Sequence, residues 1–427
     1  MDYPASIEYL NAHIALGVRP GLDRIKLLLE AMGGPEQGYP VIHVAGTNGK
    51  TSTSRLATWL LIAHGLTTGT YTSPHLQRVE ERLAMNGRSA TEEQFSLAVS
   101  DVAAFADLLE TRTGEASTYF ELTTAAAFAF FADQAVNTAV VEVGLGGRLD
   151  ATNVVGAEVC VLTSIGIEHT EYLGEDIATI AGEKLGIVTP GSILVSGPLP
   201  DPALERAETT ARDLGIQHRH YGKDFSVLDG ERGVGGWLTT IEGAETTYED
   251  IFLPVHGRHQ LVNLAAAVAA TEALLGRKLD RDAVEEACAA VTLPGRMEQL
   301  GTNPIVLVDG AHNADGVATL AESIFEEFPS ASWNVVFGVM GDKNLDAMLE
   351  HLRPITRGVV ATAARSERAV PAQVLAEKVA EHGIPVVMAE DVGDAMDMAR
   401  AEAGPKGHVL VAGSLYLAGE VRDLEVG

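Results

Sequence analysis

Short apolar runs recur along the first half of the chain, each closed by glycine or a polar turn: PVIHVAG (40–46), TAVVEVG (138–144), VCVLTSIG (159–166) and SILVSG (192–197). Between them lie longer stretches with helical spacing or runs of alanine, such as TTAAAFAFFADQA (123–135). Continuous apolar strands alternating with helices predict a mainly parallel sheet, because parallel strands are covered by helices on both faces. Residues 218–256 change character: FSVLDG, GGWLTTIEG and TTYEDIFLPV alternate apolar and polar positions between glycine turns, which predicts a small antiparallel, β-rich insertion. Helical patterns return in HQLVNLAAAVAATEALLG and RDAVEEACAAV. After LPGRMEQL (293–300) the strand–helix alternation starts afresh, from PIVLVDG through WNVVFG, GVVATAA and PVVMAE to HVLVAGS. The expected architecture is α/β in two units. A larger domain spans residues 1–294 and carries the insertion, and a smaller Rossmann-like α/β domain spans 295–427.

Composition narrows what such a chain does. With 427 residues, 46% of them hydrophobic, it is long enough for a sizeable core and for more than one domain. Charge or glycine interrupts every apolar segment before the roughly 18 residues a membrane span needs. MDYPASIEYL lacks the basic start and apolar core of a signal peptide, so the expected address is the cytoplasm, with no membrane partner. Cys160 and Cys288 have neither metal-ligand nor disulfide spacing and read as buried thiols. The net charge of −29 argues against nucleic-acid partners, which are held by excess Lys and Arg. Small anions remain open, since a glycine loop, one lysine and a divalent cation make a local positive site on an acidic protein.

The loop after the first apolar run has that form. Gly46-Thr47-Asn48-Gly49-Lys50-Thr51-Ser52 stands between a strand and a helix, where backbone amides and a helix N-terminus face an anion. Its spacing is short: the common G-x-x-x-x-G-K-[ST] loop would place glycine where Val44 stands. Glu142 interrupts an otherwise apolar strand, and a buried carboxylate needs a metal ion, a cation or an ion pair beside it. Glu168 and His169 follow another strand, at the end where doubly wound sheets put ligands, although a loop histidine is also commonly just solvated. Ser73 in TSPHLQRVEER offers a hydroxyl or simply marks a turn. By residue type alone Lys184, on a helix, reads as a surface lysine whose stem snorkels to water; pointed into a pocket, its amine would be reactive. In VDGAHNADG, Asp309, His312 and Asn313 follow a strand and either bind ribose, phosphate or an amino acid, or have Asp309 capping the next helix.

Taken together these segments resemble the folylpolyglutamate synthase and dihydrofolate synthase family of the Mur ligase superfamily. The resemblance runs nearly end to end, through GTNGKT (46–51), YTSPHL (71–76), ER (81–82), TYFELTTAAAF (118–128), EVGLGGRLDATN (142–153), EHTEYLG (168–174), GEKLGIV (182–188), GRHQLVN (257–263), PGRME (294–298), DGAHNADG (309–316) and GSLYLAGEVR (413–422). It implies a P-loop ATPase domain in which Gly46 to Ser52, Lys50 above all, hold the ATP phosphates, and in which Asn263, Arg296 and Asp309 contact the nucleotide. Ser73 and Glu142 match ligands of one Mg²⁺, and His169 a ligand of a second. Lys184 matches a lysine that is carbamylated in the family, and His312 a residue near the domain cleft where glutamate enters. A pterin-bearing substrate is expected near Gly21, Leu22 and Asp23, near Pro74 and His75, and near Thr118, Tyr119, Phe120, Glu121 and Asp150. The chain departs from the family pattern with Thr51 after the lysine, Glu168 where aspartate is usual, and Leu185 after Lys184.

The activity so implied is an ATP-dependent ligase that joins the carboxylate of a folate, or of dihydropteroate, to the amine of L-glutamate through an acyl phosphate, acting as a monomer. Two alternatives stand beside it. One is a Mur-type ligase of peptidoglycan precursors, working on a UDP-sugar peptide. The other is a regulatory nucleotide-binding module, against which the retained Lys50, Glu142, His169 and Lys184 speak.

Overall fold

The computed structural model describes residues 1–426. Eight strands build the main sheet: β1 Val41–Ala45, β2 Thr68–Tyr71, β3 Leu83–Met85, β4 Arg88–Ser89, β5 Thr138–Glu142, β6 Val159–Leu162, β7 Ile193–Ser196 and β8 Gln217–His220. Their order is β4-β3-β2-β5-β1-β6-β7-β8, parallel from β2 to β8 and antiparallel at the β2–β3–β4 edge. Every residue of β1, β5 and β6 is buried, which is why these strands read as unbroken apolar runs. Helices cover both faces, and the sheet separates two cores, one beneath Ala125, Phe128 and Phe131 and the other beneath Leu60, Leu264 and Val268.

The order matters for the site. Strand β1 is flanked by β5 on one side and β6 on the other, so the chain leaves it at the point where sheet order reverses, and a crevice opens beyond the carboxyl ends of these strands.

The antiparallel insertion is smaller than the sequence pattern predicted. Strands β9 Ser226–Gly233, β10 Gly236–Glu242 and β11 Thr247–Leu253 form it alone, whereas β8 is the edge of the main sheet. QHRH carries no apolar run because an edge strand pairs on one side only; its residues are mostly half-buried or exposed.

The C-terminal sheet comprises β12 Glu298–Thr302, β13 Ile305–Val308, β14 Trp333–Phe337, β15 Thr356–Ala361, β16 Val386–Met388 and β17 His408–Ala412. Its order is β12-β13-β17-β14-β15-β16, all parallel except the first pair. Helices again line both faces, and two core clusters fill the layers. The loops following β13 and β14 point back at the crevice of the larger domain.

Candidate active site

The helix Lys50–Ala63 starts directly after the glycine loop, and its N-cap is Gly49, which has no side chain to occupy the first amides. Those amides and the positive end of the helix are open to an anion. Gly46 and Gly49 both sit at positive φ, +149° and +86°. The loop is braced by the segment that follows β6: the Thr47 amide donates to the Ser164 carbonyl at 2.8 Å and the Asn48 amide to Ser164 Oγ at 3.0 Å. Lys50 Nζ folds back onto the Gly46 and Thr47 carbonyls at 2.9 and 3.2 Å, a position from which it meets whatever fills the loop.

Around this loop lies a cavity of about 380 Å³, with walls from both domains. The larger domain supplies residues 46–52, Ser73, Pro74, Glu142, Glu168, His169, Lys184 and Asn263; the smaller one supplies Arg296, Asp309 and His312. The fold thus brings most of the catalytic, nucleotide and metal candidates to one crevice.

Lys184 overturns the surface reading. Its residue is 2% exposed, and Nζ donates to Glu168 Oε1 at 2.9 Å and to the Gly46 carbonyl at 3.0 Å. Burial lowers its pKa, with Lys50 adding to the effect and Glu168 opposing it. Burial raises Glu168, but Lys184 and Lys50 outweigh it, and its pKa falls below the usual carboxylate range. The helix carrying Lys184 fits here because the loop after β5 is stripped of side chains: a Cβ on Gly147 would lie 2.6 Å from the Lys184 carbonyl.

Glu142 is 1% exposed. Burial raises its pKa, while Lys50 and the Thr51 hydroxyl lower it. Oε1 accepts from Thr51 Oγ1 at 3.0 Å, whereas Oε2 and the neighbouring Ser73 Oγ are buried without hydrogen-bond partners. Two orphaned oxygens in a phosphate cavity suit a hard cation, which takes one or two protein oxygens and leaves the rest of its shell to water and phosphate. Among the described residues, no group of three His, Cys, Asp or Glu side chains forms an all-protein cage. His169 is held at φ +47°, an uncommon conformation for histidine that aims it at the cavity, and burial lowers its pKa.

Three expectations change. Asp309 does not cap the next helix: its oxygens accept from the Met297 and Ala311 amides at 2.8 and 2.7 Å, fixing the turn that shapes the cavity wall. Asn313 is the cap, accepting from the Gly316 amide at 2.7 Å, and it also reaches across the domain boundary to Asn48 at 3.2 Å. Asp150 does not face the cavity; it accepts from Thr152 N, Thr152 Oγ1 and Leu145 N, stapling its own loop.

Of the substrate candidates Pro74 is in the cavity wall, and the rest lie outside it. Arg24, next to the segment Gly21–Asp23, pairs with Glu121 at 3.1 Å. Thr118 and Glu121 form a capping box at the start of the helix Tyr119–Asp133. The Arg82 guanidinium lies 5.3 Å from the Tyr119 ring centroid and donates to His75 Nδ1 at 3.0 Å. Phe120 reaches the loop after β5, where a Cβ on Gly144 would come within 2.4 Å of its ring. Residue-by-residue reading missed Gln260, Lys343, Arg368 and Tyr416, all in the cavity wall. The two cations lie in loops without periodicity or glycine signature.

A phosphate loop in the larger domain, facing a second α/β domain across one cavity, defines a nucleotide-dependent enzyme with its site between two lobes. The chain matches the Mur ligase middle domain over residues 44–271 and the Mur ligase, glutamate ligase domain over 295–415. It is 38% identical to the dihydrofolate synthase/folylpolyglutamate synthase of Mycobacterium tuberculosis over 95% of this chain and 90% of that protein. The solved M. tuberculosis folylpolyglutamate synthase complexed with ADP superposes with a TM-score of 0.95 at 38% identity, covering 99% of each chain. Escherichia coli FolC, solved in complex with DHPP and ADP, gives 0.88 at 29% identity, covering 99% of this chain and 97% of that one. The chain belongs to the folylpolyglutamate synthase/dihydrofolate synthase family of the Mur ligase superfamily, and is an ATP-dependent ligase. That membership sets aside the peptidoglycan alternative.

Proposed function

We propose that this ligase joins L-glutamate to the carboxylate of dihydropteroate or of a reduced folate, using ATP and passing through an acyl phosphate. The observation that carries the reading is the two-domain cavity, with a phosphate loop and orphaned carboxylate on one wall and the cations Lys343 and Arg368 on the other. The ADP and DHPP held by relatives support the two substrate classes.

In the first step a substrate carboxylate oxygen attacks the γ-phosphorus, the bond to the β-phosphate oxygen breaks, and ADP leaves. Lys50 moves from its loop carbonyls to the transferring group and offsets its charge, alongside the helix amides. Ser73 and Glu142 would hold one Mg²⁺ and His169 a second, and metal bound there would neutralise charge on the phosphates. In the second step the neutral glutamate amine attacks the acyl carbon, the bond to phosphate breaks, and phosphate leaves with the proton that the nitrogen sheds. Lys343 and Arg368 are placed to meet the carboxylates of glutamate. His312 is suited to orienting the amine: burial lowers its pKa to about 4, so it is neutral near pH 7, and Nδ1 donates to the Gly310 carbonyl at 2.8 Å, leaving Nε2 as an acceptor. Neutral imidazole there takes the hydrogen bond of the attacking amine and steers it, instead of repelling the ammonium form.

Lys184, buried and lowered in pKa, spends more time as the neutral amine that adds carbon dioxide, which supports carbamylation at this position. Its neighbour Leu185 is accommodated in the core. A monomer working in the cytoplasm completes the reading. No helix among the described residues is long and apolar enough to cross a membrane.

The test is one assay with ATP, Mg²⁺ and glutamate, offering dihydropteroate or tetrahydrofolate in parallel and weighing the products. A mass gain of one glutamate residue on at least one acceptor is expected, and a gain on neither refutes the reading. Lys50→Ala should lower glutamate-dependent ADP formation by about a thousandfold; unchanged turnover would remove Lys50 from the phosphate site.

A further inference from the structure

The segment that carries Ser73, Pro74 and His75 does not end in its own domain. The next residue, Leu76, enters the C-terminal domain, where its side chain packs against the core cluster of Val308, Leu417 and Val421. Two glycines make the room. A Cβ on Gly419 would lie 2.0 Å from the Leu76 carbonyl oxygen, and one on Gly295 would lie 3.1 Å from a Leu76 methyl. Next along, Gln77 accepts from Arg422 and donates to Asp423 Oδ1 at 2.6 Å. Arg422 is itself fixed by Glu298, with Nε to the two carboxylate oxygens at 3.0 and 2.8 Å. On the near side, Glu81 accepts from the amides of Leu76, Gln77 and Arg78, so the segment moves as one piece.

Gly419, Arg422 and Asp423 lie on the C-terminal helix Leu415–Val426, whose first turn puts Tyr416 into the cavity wall beside Ser73 and Pro74. We propose that Leu76, seated in the Gly295/Gly419 socket and tied by Gln77 to Arg422, is a positioning device: docking of the C-terminal domain sets the Ser73–His75 segment for the carboxylate-bearing substrate. The glycine loop depends on it far less, because residues 46–52 are braced by Ser164 within the larger domain, and a shift of the segment withdraws from the nucleotide only the Ser73 hydroxyl. The substrate named here rests on the function proposed above; the mechanical link does not.

Two independent measurements test it. Gly419→Ala keeps helical backbone and adds one methyl against the Leu76 carbonyl; Leu76→Ala empties the socket. Hydrogen exchange of residues 73–82, followed by mass spectrometry, should accelerate at least tenfold in both variants, while residues 46–60 stay as in the parent. In the ligase assay the KM for the pterin acceptor should rise at least tenfold, and the KM for ATP, which loses only the Ser73 hydroxyl from its site, by a clearly smaller factor. Gln77→Ala and Arg422→Ala should be non-additive in acceptor KM, as partners in one contact are. Unchanged exchange at 73–82 overturns the device whatever the enzyme's substrate, and so does an equal loss for acceptor and ATP. If Gly419→Ala does not fold, the Gln77/Arg422 pair decides. Absence of product with the parent protein strikes the proposed function alone, because the exchange readout still reports on the link.

Discussion

At the scale of single residues, burial decides which ionisable groups are functional and which are merely enclosed. His43, in the middle of β1, is fully buried; Nε2 bonds Thr152 Oγ1 at 2.9 Å and Nδ1 has no partner. Burial lowers its pKa from 6.5 to about 3. Between those values the unfolded chain binds a proton that the folded chain refuses. Stability is therefore complete above pH 6.5 and is lost as pH falls through the window toward 3, by on the order of 5 kcal/mol for this one group. His43→Leu should make the plot of unfolding free energy against pH, from 6 to 4, shallower by about 1.4 kcal/mol per pH unit, the weight of one proton. Urea titrations across that range check it; equal slopes would mean that His43 titrates normally. Neither His43 nor Lys184 declared itself by type: a histidine in a strand and a lysine on a helix are ordinary, and only the fold shows that both are sealed. Glu142 was legible, because a carboxylate inside TAVVEVG had no apolar excuse.

At the scale of elements, the strands that line the site were the legible ones. Strands β1, β5, β6 and β7 are central, and their burial wrote itself as continuous Val, Ile and Leu. The polar β8 was hidden by its place at the edge, and β2, TGTY, by a glycine that packing requires, since a Cβ on Gly69 would lie 2.7 Å from Phe131. The glycine loop depends on the same kind of close approach. A Cβ on Gly49 would meet Asn263 Oδ1 at 2.5 Å, on a residue already at φ +86°. Gly191 is a matched control, at φ +92° with nothing within 4 Å. Gly191→Ala should cost only backbone strain, about 1 kcal/mol, and leave ATP binding alone. Gly49→Ala should carry that strain, displace Asn263, and raise the KM for ATP at least tenfold. Thermal melts and ATP titrations of the two variants separate strain from site geometry; equal ATP affinity would show that the loop tolerates a side chain.

At the scale of the whole molecule, the two domains were legible from the renewed alternation after Pro294, but the seam between them was not. Its contacts pair residues far apart in sequence that share no period: Asn48 with Asn313 at the phosphate loop, Leu76 with Gly419, and the turn 256–258 with the helix Ala314–Glu327. In the last of these Glu327, 2% exposed, accepts from His256 Nδ1 at 2.6 Å and from the Gly257 amide at 2.5 Å, while Arg258 pairs with Glu326 at 3.0 Å. The exposed Arg258–Glu326 pair contributes little, whereas removing the buried Glu327 leaves an amide and an imidazole enclosed without a partner. Glu327→Leu should therefore weaken the seam by about 3 kcal/mol, well beyond what a surface pair holds. The loss should fall on the coupling between domains and not on either core, so urea unfolding seen through Trp333, in the C-terminal sheet, should separate from unfolding seen through Trp59 and Trp237, in the larger domain. A single coincident transition, shifted or not, would place the cooperativity of the two domains elsewhere along their boundary.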